Sequence, residues 1–149
     1  MQVLSRVTRL ARHLDRQRST AFAAHGLETW EFDVLAALRR AGAPYQLTPG
    51  QLLKETLVTS GTMTNRVDRL EIRGLVAREN HPEDRRGVLV RLTSAGLSGV
   101  DAALSDLLDA EQKILAQMSS EEQDRLAACL RELLLPYDDN STTPADIRG

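Results

Sequence analysis

The chain has 149 residues, 42% hydrophobic and 27% charged, with a net charge of −2. That is enough for one compact domain with its own core and too little for two ordinary enzyme domains. No apolar run approaches the roughly 18 residues of a membrane span, and the opening residues carry Arg6, Arg9, Arg12, Arg16 and Arg18 where an export signal is apolar. The single cysteine, Cys129, excludes an internal disulfide framework and a multi-cysteine metal site. A cytoplasmic protein without membrane contact is expected.

The negative total hides a division along the chain. Residues 1–58 hold eight bases and five acids, residues 59–91 seven and five, and residues 92–149 four bases against eleven acids. A basic middle and an acidic C-terminal part fit a protein with one face toward nucleic acid, although solvated surfaces alone also produce such a division.

Val3, Val7, Leu10 and Leu14 recur at helical spacing and predict an opening amphipathic helix over about 2–25. A second helix is expected over about 28–40, with Trp30, Val34, Leu35 and Leu38 apolar, ended by Gly42 and Pro44. Leu47 reads as a short strand or link. Thr48-Pro49 with Gln51 is a capping-box start for a short third helix ending near Thr56.

Thr59 or Ser60 caps the next helix, which runs to about Arg73 before Gly74. Leu75 to Asn80 and Val88 to Leu92 are β-prone runs joined by a polar loop containing Pro82 and Gly87, which describes a hairpin. Thr93 caps a long helix through Met118, Ser119 with Glu122 starts another that ends at Pro136, and the polar residues from Asp138 to Gly149 read as a disordered tail. The fold class is therefore mostly α with a small β component (α+β), a winged helix-turn-helix over about 28–93 framed by long terminal helices. The terminal helices, about 2–25 and 94–135, carry more apolar stripe than the small core covers, so they are expected to form a homodimer. One domain over residues 1–136 results.

In the helix ending at Arg73, Met63, Val67 and Leu70 form the inward stripe, and 100° per residue places Asn65, Arg69 and Ile72 nearly opposite. Thr59, Ser60, Gly61, Thr62 and Thr64 are small enough to let the helix start approach a duplex and offer hydroxyls to phosphates. Asn65 and Arg69 can read adenine and guanine edges, with Arg66 and Arg73 on the flanks. A solvated amphipathic helix explains the same residues in isolation; the hairpin that follows favours the duplex reading. In the loop, Asp84 is expected to hold the guanidinium of Arg86, leaving Arg85 or Arg86 for a minor groove or phosphate.

Thr62-Met-Thr-Asn-Arg-Val-Asp-Arg-Leu-Glu71, Gly74-Leu-Val and Pro82-Glu-Asp-Arg-Arg-Gly-Val-Leu-Val-Arg-Leu-Thr93, with Leu47-Thr-Pro-Gly-Gln-Leu upstream, resemble the MarR family of bacterial transcriptional regulators. The resemblance implies a triangular dimer on a pseudo-palindromic double-stranded operator. It carries family DNA contacts to Ser60, Thr62, Thr64, Asn65, Arg69 and Arg86, with Asp84 in support. Trp30-Glu-Phe-Asp-Val-Leu-Ala-Ala-Leu-Arg39, together with Ser60-Gly-Thr-Met-Thr-Asn-Arg66, is further similar to the urate-responsive, PecS-like branch. That similarity implies a small anionic or phenolic effector at Trp30, Asp33 and Arg66. Core packing of Trp30 and a plain Asp33–Arg66 ion pair are the competing reading of the same residues.

No phosphate-cradling glycine loop, HExxH, Gly-x-Ser-x-Gly or Ser-x-x-Lys signature occurs, so no enzyme, cofactor or metal is expected. His13, His25 and His81 lie in different elements, and Cys129, on the apolar stripe of the last helix, reads as a small buried hydrophobe. A repressor is the leading expectation. An architectural or protein-interaction winged helix without a specific operator is the alternative, separable by competition with unrelated duplex.

Overall fold

The structure is a computed structural model that describes residues 2–138; the expected tail lies, apart from Asp138, outside the described residues. The described residues divide into two units, up to residue 111 and from residue 112 onward. The first contains α1 (Gln2–Ala23), α2 (Thr29–Arg40), β1 (Gln46–Leu47), α3 (Pro49–Thr56), α4 (Ser60–Ile72), β2 (Val76–Asn80), β3 (Val88–Leu92) and most of α5 (Ser94–Leu115). The second contains the end of α5 and α6 (Ser120–Asp138).

The start of α3 and the end of α4 have local causes. The side chain of Thr48 accepts from the Gln51 N–H at 3.2 Å, and Gln51 returns a bond to the Thr48 N–H at 2.9 Å, the reciprocal cap expected at Pro49. α4 stops where Gly74 adopts φ +71°, letting the Leu75 N–H reach back to the Leu70 carbonyl at 3.0 Å. The three strands form an antiparallel sheet in the order β1-β3-β2, with Ala77 opposite Arg91 and Arg78 opposite Val90.

The core lies between α2, α3, α4, the sheet and the ends of α1 and α5 that pack on them. Phe22 of α1 stacks on Phe32 of α2 at 3.9 Å, and Leu35, Leu38, Leu52, Met63, Leu70, Val90 and Val100 are fully enclosed. Burial of this aliphatic set is the main stabilising term, at about 25 cal/mol per Å² of apolar surface removed from water. The sheet fixes α5 through its cap: Thr93 donates its hydroxyl to the Gly74 carbonyl at 2.7 Å and accepts from the Gly96 N–H at 3.0 Å. Gly96 sits so close that a Cβ there falls 2.0 Å from the Leu75 carbonyl oxygen.

Two expectations change. The last helix does not end at Pro136 but continues to Asp138; the missing proline N–H costs one intrahelical bond, and in the final turn little helix remains to break. Cys129 is exposed, not buried, because none of the residues of α6 is buried in the single chain. Its cap, Ser119 with Glu122, forms as expected, at 2.8 and 3.3 Å. No described helix is long and apolar enough to cross a membrane.

Candidate nucleic-acid interface

α3 and α4 meet through a tight turn in which Leu57 takes φ +55°, and α4 begins with a hydroxyl-capped N-terminus. Thr59 accepts from the Thr62 N–H at 3.3 Å and donates to the Thr62 hydroxyl at 2.9 Å, while the Thr64 hydroxyl bonds the Ser60 carbonyl at 3.0 Å. Ser60, Thr62 and Thr64 are exposed, so the first turn of α4 presents free N–H groups, hydroxyls and a positive dipole end to solvent. Met63, Val67 and Leu70 are buried, the inward stripe expected from their spacing. Asn65 and Arg69 are exposed on another side, and Asn65 makes no side-chain hydrogen bond among the described residues.

Arg69 is not free. Its guanidinium carbon lies 4.7 Å from the centre of the Trp30 ring, and its Nη2 is 3.6 Å from Glu28 Oε2. The same carboxylate oxygen accepts the Trp30 indole N–H at 2.6 Å. Arg66, one turn back on α4, holds its guanidinium carbon 5.6 Å from the same ring. Trp30, Asp33 and Arg66 line one open hollow of about 600 Å³ with Ser19, Leu27 and Glu28. The alternative that Asp33 simply pairs with Arg66 is replaced by another pair: Asp33 accepts from Arg18 of α1 at 3.4 Å.

Arg73 lies on nearly the same side of α4 as Arg69 and is partly exposed, but its guanidinium is engaged. Its guanidinium donates to the buried carboxylate of Glu31 and to the Gly26 carbonyl at 2.8 Å, which anchors the end of α4 to the start of α2. A buried carboxylate is costly unless paired, so this arginine serves the fold.

The loop between β2 and β3 forms a wing. Asp84 is its organising residue in a way the sequence reading misplaced: its Oδ1 accepts the backbone N–H of Arg86 at 3.0 Å, not the guanidinium. An aspartate two residues before an N–H is the usual local partner for it in a turn. The Gly87 N–H bonds the Asp84 carbonyl at 3.0 Å and the His81 N–H bonds the Gly87 carbonyl at 2.9 Å. Arg85 and Arg86 are exposed at the tip, and their side chains have no ion-pair partner among the described residues. The wing is fastened to α4 by Arg78, which donates to Glu71 and Asp68, both at 2.6 Å. The Arg78 backbone N–H, and then its guanidinium, hold the Glu71 carboxyl below its ordinary range.

The comparisons with known proteins match this arrangement. A model described as MarR family matches residues 25–87. The regulator PecS of Dickeya dadantii is 35% identical over 130 residues, 87% of this chain and 78% of that protein. The chain belongs to the MarR family. Within the family, the multiple antibiotic resistance protein MarR of Escherichia coli is 33% identical over 70% of this chain and 71% of its own length. Its apo crystal structure superposes with a TM-score of 0.73 at 27% identity, covering 89% of this chain and 96% of that one. A cysteine-to-serine mutant of the same protein, complexed with operator DNA, gives 0.73 at 28% identity over 88% and 93%. A MarR family protein from Bacillus stearothermophilus gives 0.79 at 25% identity over 92% and 94%. This chain is accordingly a MarR family transcriptional regulator and not an enzyme, with a mostly helical winged fold.

In MarR family terms, α4 is the second helix of the helix-turn-helix. The structure brings Ser60, Thr62, Thr64, Asn65 and Arg69 onto α4, sets Arg85 and Arg86 at the wing tip, and ties Arg73 to Glu31 and the Gly26 carbonyl. Three residues escaped the sequence reading: Glu31, Glu28 and Arg78. Glu31 had a signal, standing three residues after Glu28 at a helix start, and its Oε2 accepts the Glu28 N–H at 2.8 Å. Arg78 had a weaker one, Asp68 and Glu71 three apart on one side of α4. No group of described His, Cys, Asp or Glu residues could hold a metal ion.

Proposed function

We propose that this regulator is a ligand-responsive repressor that acts in the cytoplasm and binds a pseudo-palindromic double-stranded operator as a two-fold dimer. The observation that carries the reading is the exposed side of α4: hydroxyls at its capped start, then Asn65 with an unengaged side-chain amide. Ser60, Thr62 and Thr64 would meet phosphates while Asn65 and Arg69 read base edges in the major groove. Arg85 and Arg86, on a wing shaped by Asp84, would reach the adjacent backbone or minor groove. The operator complex of the E. coli relative and the name of a Bacillus subtilis relative, the repressor YetL at 31% identity, support it.

The dimer reading rests on exposed apolar side chains of the terminal helices, Val3, Leu4, Val7 and Leu10 in α1 and Leu133, Leu134 and Tyr137 in α6. One domain over 1–136 with a two-fold axis sets half-sites about 34 Å apart. The effector is a small anion or phenol in the hollow at Trp30, Asp33 and Arg66, a reading supported by their lining one hollow and by the resemblance of these segments to the urate-responsive branch. A mobility shift on the DNA just upstream of the chain's own gene, repeated with urate, salicylate and unrelated competitor duplex, tests these points together. A specific shift relieved by one of the anions is expected, and binding to all duplexes alike would favour an architectural role.

A further inference from the structure

Arg69 is the residue of α4 best suited to a guanine edge, yet its side chain is folded back onto α2. Three contacts hold it there: the Trp30 ring under the guanidinium at 4.7 Å, Glu28 Oε2 at 3.6 Å from Nη2, and the Trp30 N–H that points this oxygen at the arginine, at 2.6 Å. Arg66 sits near the same ring at 5.6 Å. Glu28 and Trp30 both belong to the start of α2, outside the helix-turn-helix; Trp30 packs against the core on one side, while the ion pair it supports is exposed, Glu28 at 63% of its side chain and Arg69 at 57%.

We propose that Glu28 and Trp30 are positioning residues that latch Arg69 in the free protein, in competition with DNA. A guanidinium has a fixed fork of donors, and a bidentate bond to a guanine requires the side chain to extend from the helix. Held over an indole beside a carboxylate, Arg69 cannot extend in the same way. Binding therefore exchanges the latch for the base edge, and the latch sets how much of the arginine's contribution reaches the affinity. The contacts are exposed, which keeps the latch weak and reversible: exposed ion pairs and cation–π contacts each contribute modestly. Because Trp30 also lines the effector hollow, the residue that stores Arg69 is the one a stacked ligand would touch. The inference rests on the proposed docking of α4 on DNA, and its test separates the two.

A duplex selected from a random-sequence pool by the full chain serves as probe, with affinity read by fluorescence anisotropy at fixed salt. Glu28→Gln is expected to bind about two- to fivefold more tightly than the parent chain, and Trp30→Phe, which keeps a ring but removes the N–H, to shift the same way by less. In an Arg69→Ala background the gain from Glu28→Gln should vanish. Trp30 is the single tryptophan, so its emission should also change on DNA binding in the parent chain and stay constant in Arg69→Ala. Unchanged or weakened binding by Glu28→Gln, or the same gain without Arg69, overturns the latch. Parent-level affinity in Arg69→Ala instead overturns the docking beneath it.

Discussion

Arg73 donates its guanidinium to the carboxylate of Glu31, the one charged side chain buried among the described residues. The pair joins the last residue of the α4 region to the first turn of α2, and Glu31 at the same time caps α2 by accepting the Glu28 N–H. Removing one partner leaves a buried charge without compensation. Arg73→Met should destabilise the fold by about 2 kcal/mol, below the usual range for a broken buried pair because the arginine end is partly exposed. Urea unfolding measures it. Unchanged stability with lost DNA affinity would return Arg73 to the DNA face.

The clamp between Arg78 and Glu71 gives the fold an acid-sensitive link. The Arg78 backbone N–H and guanidinium lower the Glu71 carboxyl from its ordinary value of 4.5. A carboxylate with a depressed folded value contributes stability that is complete above 4.5 and is lost as pH falls through the lower folded value. Glu71→Gln should therefore flatten part of the acid limb of stability below pH 4.5. Parallel acid profiles for parent and variant would remove Glu71 from the account.

Gly96 is a packing position. With a Cβ 2.0 Å from the Leu75 carbonyl oxygen and 3.1 Å from the Leu92 side chain, alanine forces the start of α5 away from the sheet. Gly96→Ala should cost about 1 to 3 kcal/mol, the range for overpacking, despite the better helix propensity of alanine. Thermal unfolding decides the sign, and a stabilised variant would contradict the close approach.

Much of this fold can be read from local rules. The Thr48-Pro49-Gln51 cap, the Gly74 stop, the α4 stripe and the hairpin each follow from residues within a few positions of one another, where hydrogen bonding and backbone sterics decide. What could not be read depends on neighbours distant in sequence. Arg73 and Arg69 have the same composition and nearly the same helix face, yet one is drawn to a buried carboxylate and the other to an indole on α2. For Asp84 the spacing points to the right neighbour and the wrong atom, because a turn offers a backbone N–H nearer than the guanidinium. Cys129 falls on the apolar stripe of its helix, and a stripe says nothing of whether its cover comes from the same chain.

The effector hollow has a built-in reporter. Trp30 is the single tryptophan and its ring is flanked by Arg66 and Arg69. Titration with urate or salicylate should change its emission with saturation, and Arg66→Ala should weaken that titration by about tenfold, the loss of one charge-assisted contact. Equal titrations in both chains would remove Arg66 from the ligand site.

On the function proposed above, the exposed side of α4 reads a duplex. Asn65 tests it most directly, since its amide is exposed and unengaged among the described residues and its loss should leave the core and the Arg69 contacts in place. Affinity of Asn65→Ala for the selected duplex, measured against an unrelated duplex at the same salt, should fall by about 1 to 3 kcal/mol for the former and little for the latter. Unchanged affinity for the selected duplex, or an equal loss on both, would contradict the account.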